Sequence, residues 1–423
     1  MNQATEKQMK VLFIRMAGFA AFPLLSAITP LLVMPLVSRI AGPNGWSSIG
    51  TGLAIGIFAA AVILFGWNIV GPVRIAQSRD DAYRKQVYVD SIATRLALSS
   101  VVMPASGVLI YCITNGPEQV NAVLLGLATA STGLSPAWYC IGAGSPRQLA
   151  MVDTLPRVLG SIVSLPLLII YHQVWVYALF VFVATLISLL LFHVFNMRGG
   201  DRYEWSIPRL ATELRRQAAA AGVNLAGNAY GATPVPIADG LSPGPSASRF
   251  VSIDQLYRYA LFSVVVLANA FQGWTLEQTG ATGRKRQIVA IAAHATLGAI
   301  GGTTLALVGP WLSSQLFGLA VAATRGSCVY YGIAFLFLSI AAPLQRNILV
   351  PNNQSGTVLA STICGAVVGL AMMVAYASHG IVDGVALGMA VSEALVFALL
   401  VVPAFRVLAH NRNRYPSEPE MHI

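Results

Sequence analysis

Two acid–arginine pairs interrupt stretches otherwise written in apolar letters: Asp153 and Arg157 in "DTLPR", and Asp254 and Arg258 in "DQLYR". Residues four apart share a helix face, so each pair can close an ion pair. Two chemistries are open. The pairs are internal salt bridges that neutralise awkward charges, or the arginines receive an anion while the aspartates hold them in place. Arginine's planar fork suits phosphate as the anion of the second reading. Arg15 and Arg95 are further cations inside apolar runs, open to the same role or to snorkelling towards the nearer surface. Glu393, in "AVSEALVFALL", has no partner in its own helix and is either a proton-coupling carboxylate or a side chain of no special role. Asn224 and Asn228, again four apart, can hydrogen-bond a sugar or a neighbouring helix. Asp239 and Asp383 complete the ionisable residues in or near apolar segments. A charge at the centre of a bilayer costs at least about 2.5 kcal/mol, so each of these groups needs a partner or water.

Other chemistries lack their residues. No Gly-rich loop ends in Gly-Lys-Ser/Thr, so direct ATP hydrolysis is disfavoured. The six histidines have no metal-ligand spacing. Cys112, Cys140, Cys328 and Cys364 fall in or at the ends of apolar segments with no Cys-x-x-Cys, which makes them small packing residues. No metal, no cofactor and no enzymatic activity are expected. The net charge of +10 does not point to nucleic acid, because the basic residues sit in short loops between apolar runs.

The elements that must hold these residues follow from composition. A chain 56% hydrophobic and 10% charged has too little polar surface to cover a soluble globule. Its apolar runs recur at lengths that cross a bilayer as helices. The start, "MNQATEKQMK", leads into a span without a cleavage-site pattern, so the first helix is expected to be its own insertion signal. Segmentation predicts an all-α polytopic protein of twelve spans: 11–37, 47–70, 91–114, 119–143, 148–171, 174–196, 216–238, 250–274, 287–309, 326–349, 356–378 and 381–405. The seventh, rich in Ala, Gly and Asn, needs support from neighbouring helices. Alternate loops carry 19 and 3 Lys or Arg residues, which places both termini in the cytoplasm. Leaving out the seventh span would put "GRKRQ" outside.

The longest polar connection suggests two six-helix bundles: 1–196, then a basic cytoplasmic linker at 197–215, then 216–405, with a cytoplasmic tail at 406–423. Such a layout lets one bundle rock against the other around a central site. Small residues at helix spacing (Gly52 and Gly56; Gly298 and Gly302; Gly365 and Gly369; Gly380, Gly384 and Gly388) imply close helix packing. Prolines within spans (Pro23, Pro30, Pro156, Pro234 and Pro236) imply bends or breaks.

Four stretches together resemble a family. "SAITPLLVMPLVSRIAGPNGWSSIG" (26–50) combines a Pro-Leu-Arg run with a Gly-Pro-x-Gly turn. "FGWNIVGPVRIAQSRDD" (65–81) places an aromatic–Asn patch, including Asn68, before a basic loop. "SPAWYCIGAGSPRQLAMVDTLPRVLG" (135–160) has a Pro-x-Trp-aromatic segment leading into the fifth helix, and "HGIVDGVALGMAVSEAL" (379–395) a Gly-rich terminal helix. They resemble the Wzx-type oligosaccharide-lipid flippases of the multidrug/oligosaccharidyl-lipid/polysaccharide exporter superfamily, over nearly the whole chain. The resemblance implies a V-shaped, two-bundle transporter in a bacterial inner membrane that moves polyprenyl-diphosphate-linked glycans from the cytoplasmic to the outer leaflet. It also implies a cationic cavity, coupling to an ion gradient, and association with polysaccharide polymerase and chain-length machinery. Arg157, Arg258, Arg95, Arg15, Asn68, Asn224 and Asn228 are then the substrate-contacting set, with Asp153, Asp254 and Glu393 supporting them or coupling an ion. The alternatives are a drug or small-cation antiporter of the same superfamily and a non-transporting scaffold for glycan assembly.

Overall fold

The computed structural model describes Leu25, Thr29, Pro30 and residues 32–197, 206–277 and 280–414. Everything regular among them is helical. In chain order the helices are α1 (Leu32–Ala41), α2 (Trp46–Leu64), α3 (Trp67–Gln77), α4 (Asp81–Ile113), α5 (Gln119–Ser131), α6 (Ala137–Gly142), α7 (Pro146–Leu149), α8 (Leu155–Tyr171), α9 (Trp175–Asn196) and α10 (Ile207–Ala232). They continue with α11 (Pro234–Leu241), α12 (Pro245–Leu276), α13 (Gly280–Phe317), α14 (Arg325–Pro343), α15 (Ser355–Ser378) and α16 (Asp383–Arg414). Among the described residues, ten rods are long and apolar enough to cross a membrane, three of them built from broken pairs: α2–α3, α5–α6 and α7–α8. With the shorter α1 and the amphipathic α10, the rods follow the twelve spans expected. The protein is an all-α polytopic membrane protein.

Beside a buried apolar core, large apolar side chains also cover much of the outer surface, unlike in a soluble domain. Val101, Val108, Ile170, Leu190, Ile300 and Leu307 are all more than half exposed, while serines, threonines and glycines fill the helix contacts. Water provides no drive for burying apolar faces here, so close backbone approach decides which surfaces meet. A Cβ on Gly52 or Gly56 of α2 would lie 2.2 Å from the Ala122 carbonyl oxygen or 2.5 Å from that of Gly126 on α5. Gly302 on α13 meets Gly332 on α14 in the same way, and Gly369 on α15 meets Gly388 and Ser392 on α16.

The chain forms two compact units, Met1–Gly244 and Pro245–Ile423. The divide therefore falls after Gly244, whereas the sequence suggested a divide at the linker. The cause is α10, which packs with α11 on α2 and α4 of the first unit. Part of the expected linker, from Ile207 onward, is the start of α10. Ser206 caps it by accepting from the Arg209 amide, and Pro208 occupies its first turn. Two buried acids dock this segment. Asp90 on α4 takes a two-pronged contact from Arg209 (2.7 and 3.1 Å), and Glu213 on α10 takes Arg74 of α3 at 2.7 Å. The segment is thus seated on its unit and not a free, solvated connection.

Proline shapes the rods as expected. Pro234 starts α11, where α10 ends. Pro156 has no N–H for the carbonyl four residues back, and the chain widens into a π-helical turn at Ala150–Thr154 before α8. A second π turn, Leu344–Leu349, precedes Pro351 in the same manner. Pro23 lies outside the described residues. Cys140 and Cys328 are buried packing residues, and all four cysteines are free thiols.

Candidate functional site

The first unit brings four of the singled-out features together. Asp153 sits in the π turn and Arg157 one turn on, with Nη2 3.0 Å from Asp153 Oδ1. Along α8, Asp153, Arg157, Ser161, Ser164 and Leu168 form the inner face. Leu155, Leu159, Ile162, Val163 and Ile170 form the opposite, exposed apolar face. Arg157 therefore points with the polar residues and away from the surface suited to lipid. Its side chain is 27% exposed. Asp153 supplies its protein contact, through Nη2 alone, and its Nε is buried without a partner.

Asp153 is held from behind. The Ser135 hydroxyl donates to Asp153 Oδ1 at 2.5 Å, and the same hydroxyl oxygen accepts from the Ala137 amide at 3.1 Å. Ser135 lies between a short 3₁₀ turn, Thr132–Leu134, and α6. Its carbonyl accepts from Arg95 Nη1 at 2.8 Å. Arg95 on α4 is fully buried. Its guanidinium also bonds the carbonyls of Ser91 and Gly133, both at 3.3 Å, and lies 5.9 Å from the Trp138 ring centroid. With no accessible surface, Arg95 does not snorkel in this structure; it braces the loop that carries Gly133 and Ser135. Around it, Trp67, Tyr88, Trp138, Tyr139 and Phe192 stack with centroids 4.6–6.3 Å apart.

The second unit repeats the motif with different support. Arg258 Nε is 2.6 Å from Asp254 Oδ2, and the Tyr331 hydroxyl on α14 donates to Asp254 Oδ1 at 2.9 Å. Arg258 is 23% exposed and Asp254 4%. Each aspartate thus holds an arginine on its own helix and accepts a hydroxyl from a neighbouring element. Further along α12, Asn269 accepts from Arg346 at 3.3 Å.

The remaining candidates stand apart. Asn228 Nδ2 donates to the carbonyl and side-chain oxygens of Asn224 at 2.8 and 3.2 Å, so the two satisfy each other in part. Asn68 is exposed in the first turn of α3. Glu393 is 8% exposed and has no ion pair or side-chain hydrogen bond among the described residues. Arg15 lies outside the described residues. Asp239, near the end of α11, accepts from Thr51 on α2 at 3.0 Å, and Asp383, at the start of α16, from Thr324 and Ser327 at the start of α14 at 2.5 Å each, so both tie helices together.

Sequence reasoning did not single out Ser135 or Tyr331. Ser135 had a signal in "SPAW", since a Ser-Pro step favours a turn whose hydroxyl seeks local partners. Tyr331, one aromatic in an apolar run, had none.

No protein-family model matches the chain, and no curated protein matches it in sequence. Solved structures do match in fold. A multidrug resistance MATE family transporter of the MOP superfamily, in an inward-facing conformation, superposes with a TM-score of 0.70 at 14% identity, covering 92% of this chain and 96% of that one. The lipid II flippase MurJ, in an inward closed conformation, gives 0.68 at 12% identity, with 93% and 90% covered. The eukaryotic MATE transporter AtDTX14 gives 0.51 at 14% identity, with 95% and 98% covered. The chain has the fold that these transporters share.

Proposed function

We propose that this protein translocates a polyprenyl-diphosphate-linked oligosaccharide from the cytoplasmic to the outer leaflet of a bacterial inner membrane, for surface polysaccharide assembly. The observation that carries this reading is Arg157. It is a cation on the polar face of a membrane helix, held by one aspartate through one nitrogen, with a further donor left bare. Such a group suits an anion that arrives and leaves, because a fully satisfied guanidinium would have to break its own bonds first. Arg258, in the second unit, is likewise paired with an aspartate on its own helix and is a second candidate anion contact in an alternating-access cycle. Asn68, Asn224 and Asn228 are the candidate sugar contacts. The MurJ-like fold is in keeping with a lipid-linked substrate.

The test is export in cells lacking the endogenous protein. Arg157→Ala and Arg258→Ala, each expressed at normal level in the membrane, should abolish surface glycan and leave lipid-linked intermediates on the inner leaflet. Export at the wild-type rate would remove the arginines from the mechanism.

Two observations favour a second reading, an ion-coupled drug antiporter: the MATE-like fold and the unpaired carboxylate of Glu393. Under that reading Glu393→Gln abolishes efflux of a cationic dye while the arginine variants leave it intact.

A further inference from the structure

Asp153 and Asp254 grip their arginines alike, but only the first aspartate receives its hydroxyl and its arginine on the same oxygen. Ser135 Oγ and Arg157 Nη2 both meet Asp153 Oδ1, at 2.5 and 3.0 Å. A carboxylate left to itself beside an arginine tends to the two-pronged contact, as Asp90 makes with Nε and Nη2 of Arg209 at 2.7 and 3.1 Å. At Asp153 that contact does not form, and Arg157 Nε is the buried donor without a partner.

The Ser135 hydroxyl has little freedom to do otherwise. Its oxygen accepts from the Ala137 amide, which leaves its one proton to point at Asp153. The residue is anchored in turn through its carbonyl, which the buried Arg95 holds at 2.8 Å. Arg95 Nη1 also takes the Gly133 carbonyl, so one buried guanidinium holds two carbonyls of the turn that carries Ser135. The path runs without a break from Arg95 through Ser135 and Asp153 to Arg157.

We propose that Ser135 is a positioning residue. Its hydroxyl holds the Asp153 carboxylate in a one-oxygen contact and so keeps Arg157 from closing a two-pronged pair, leaving the guanidinium able to take a diphosphate. The diphosphate part rests on the function proposed above; the control of the Asp153–Arg157 pair does not. Without the hydroxyl, the carboxylate turns to take both Nε and Nη2, and Arg157 is sequestered. A threonine keeps the hydroxyl and should keep the function.

Two readouts on the purified full-length protein separate these parts. The first is the rate of phenylglyoxal modification at Arg157, followed by peptide mass spectrometry. Ser135→Ala should slow it by about tenfold, the scale of one charge-assisted hydrogen bond, and Ser135→Thr should restore it. In Asp153→Asn, where no carboxylate remains to close the pair, adding Ser135→Ala should change nothing further. An unchanged or faster rate in Ser135→Ala overturns the proposal whatever the substrate proves to be. The second readout is binding of farnesyl diphosphate, with farnesol as control, followed by tryptophan fluorescence. Ser135→Ala should weaken diphosphate binding by about the same factor as it slows modification, and Ser135→Thr should not. If modification responds but wild type and Arg157→Ala bind the diphosphate equally, Ser135 positions Arg157 and the anion-site reading fails. If Arg157→Ala weakens binding while Ser135→Ala alters neither readout, the site stands and the role of Ser135 fails.

Discussion

Asp254 differs from Asp153 in how it is supported, and the difference is measurable. Its two oxygens are divided between Arg258 at 2.6 Å and the Tyr331 hydroxyl at 2.9 Å, so neither ligand displaces the other. Removing the hydroxyl should therefore cost stability and not reorient the pair. Tyr331→Phe deletes one hydrogen bond between membrane helices, worth about 1 kcal/mol. The expected outcome is a melting temperature in detergent lower by a few degrees, with the phenylglyoxal reactivity of Arg258 unchanged. A large change in that reactivity would mean that Tyr331 sets the arginine as Ser135 does. At this scale the sequence revealed the ion pairs, because four-residue spacing alone puts Asp and Arg on one face. It did not reveal the hydroxyls, which reach the aspartates from 18 residues away in one case and 77 in the other. Arg95 was visible as an in-span cation, but its carbonyl ligands depend on the turn at 132–136 and no local pattern announces them.

Among the elements, α10 departs furthest from expectation. Its residues read as a linker followed by a weak span, because charge and low bulk were the only local signals. Its place is set by two arginine–carboxylate contacts that run in opposite senses, Arg209 to Asp90 and Arg74 to Glu213. Gln217 is buried where α10 passes Gly66, whose φ of +80° separates α2 from α3. A Cβ on Gly66 would come within 2.9 Å of the Ala221 amide, so the close crossing also needs glycine. Asp90→Arg should undock the helix start, since a buried carboxylate lost from such a pair costs about 3 kcal/mol or more. The exchanged double variant Asp90→Arg with Arg209→Asp should recover much of the loss. Limited proteolysis between α9 and α10 reads the result: faster cleavage in the single variant and slower in the double. Equal cleavage in wild type and Asp90→Arg would show that the contacts do not hold the segment. The π turns were legible only in part. Pro156 predicts a disturbed helix, but not that the chain widens to absorb it, and the second π turn, before Pro351, was not anticipated.

For the whole molecule, composition and hydropathy carried most of the fold. The order of the rods, the close glycine contacts and the membrane class all follow from the spacing of apolar and small residues. The division into units did not, because it depends on which faces of α10 and α11 find partners, and those partners lie in α2, α3 and α4. The fold matches both a MATE transporter and MurJ at 12–14% identity, so the fold by itself does not select the substrate. The most direct measurement reconstitutes the purified protein in vesicles with a fluorescent polyprenyl-diphosphate-linked oligosaccharide and follows its leaflet by quenching from outside. Wild-type protein should carry the lipid between leaflets, while Arg157→Ala should leave it where it was placed. Vesicles in which wild type moves no lipid but pumps a cationic dye would contradict the account.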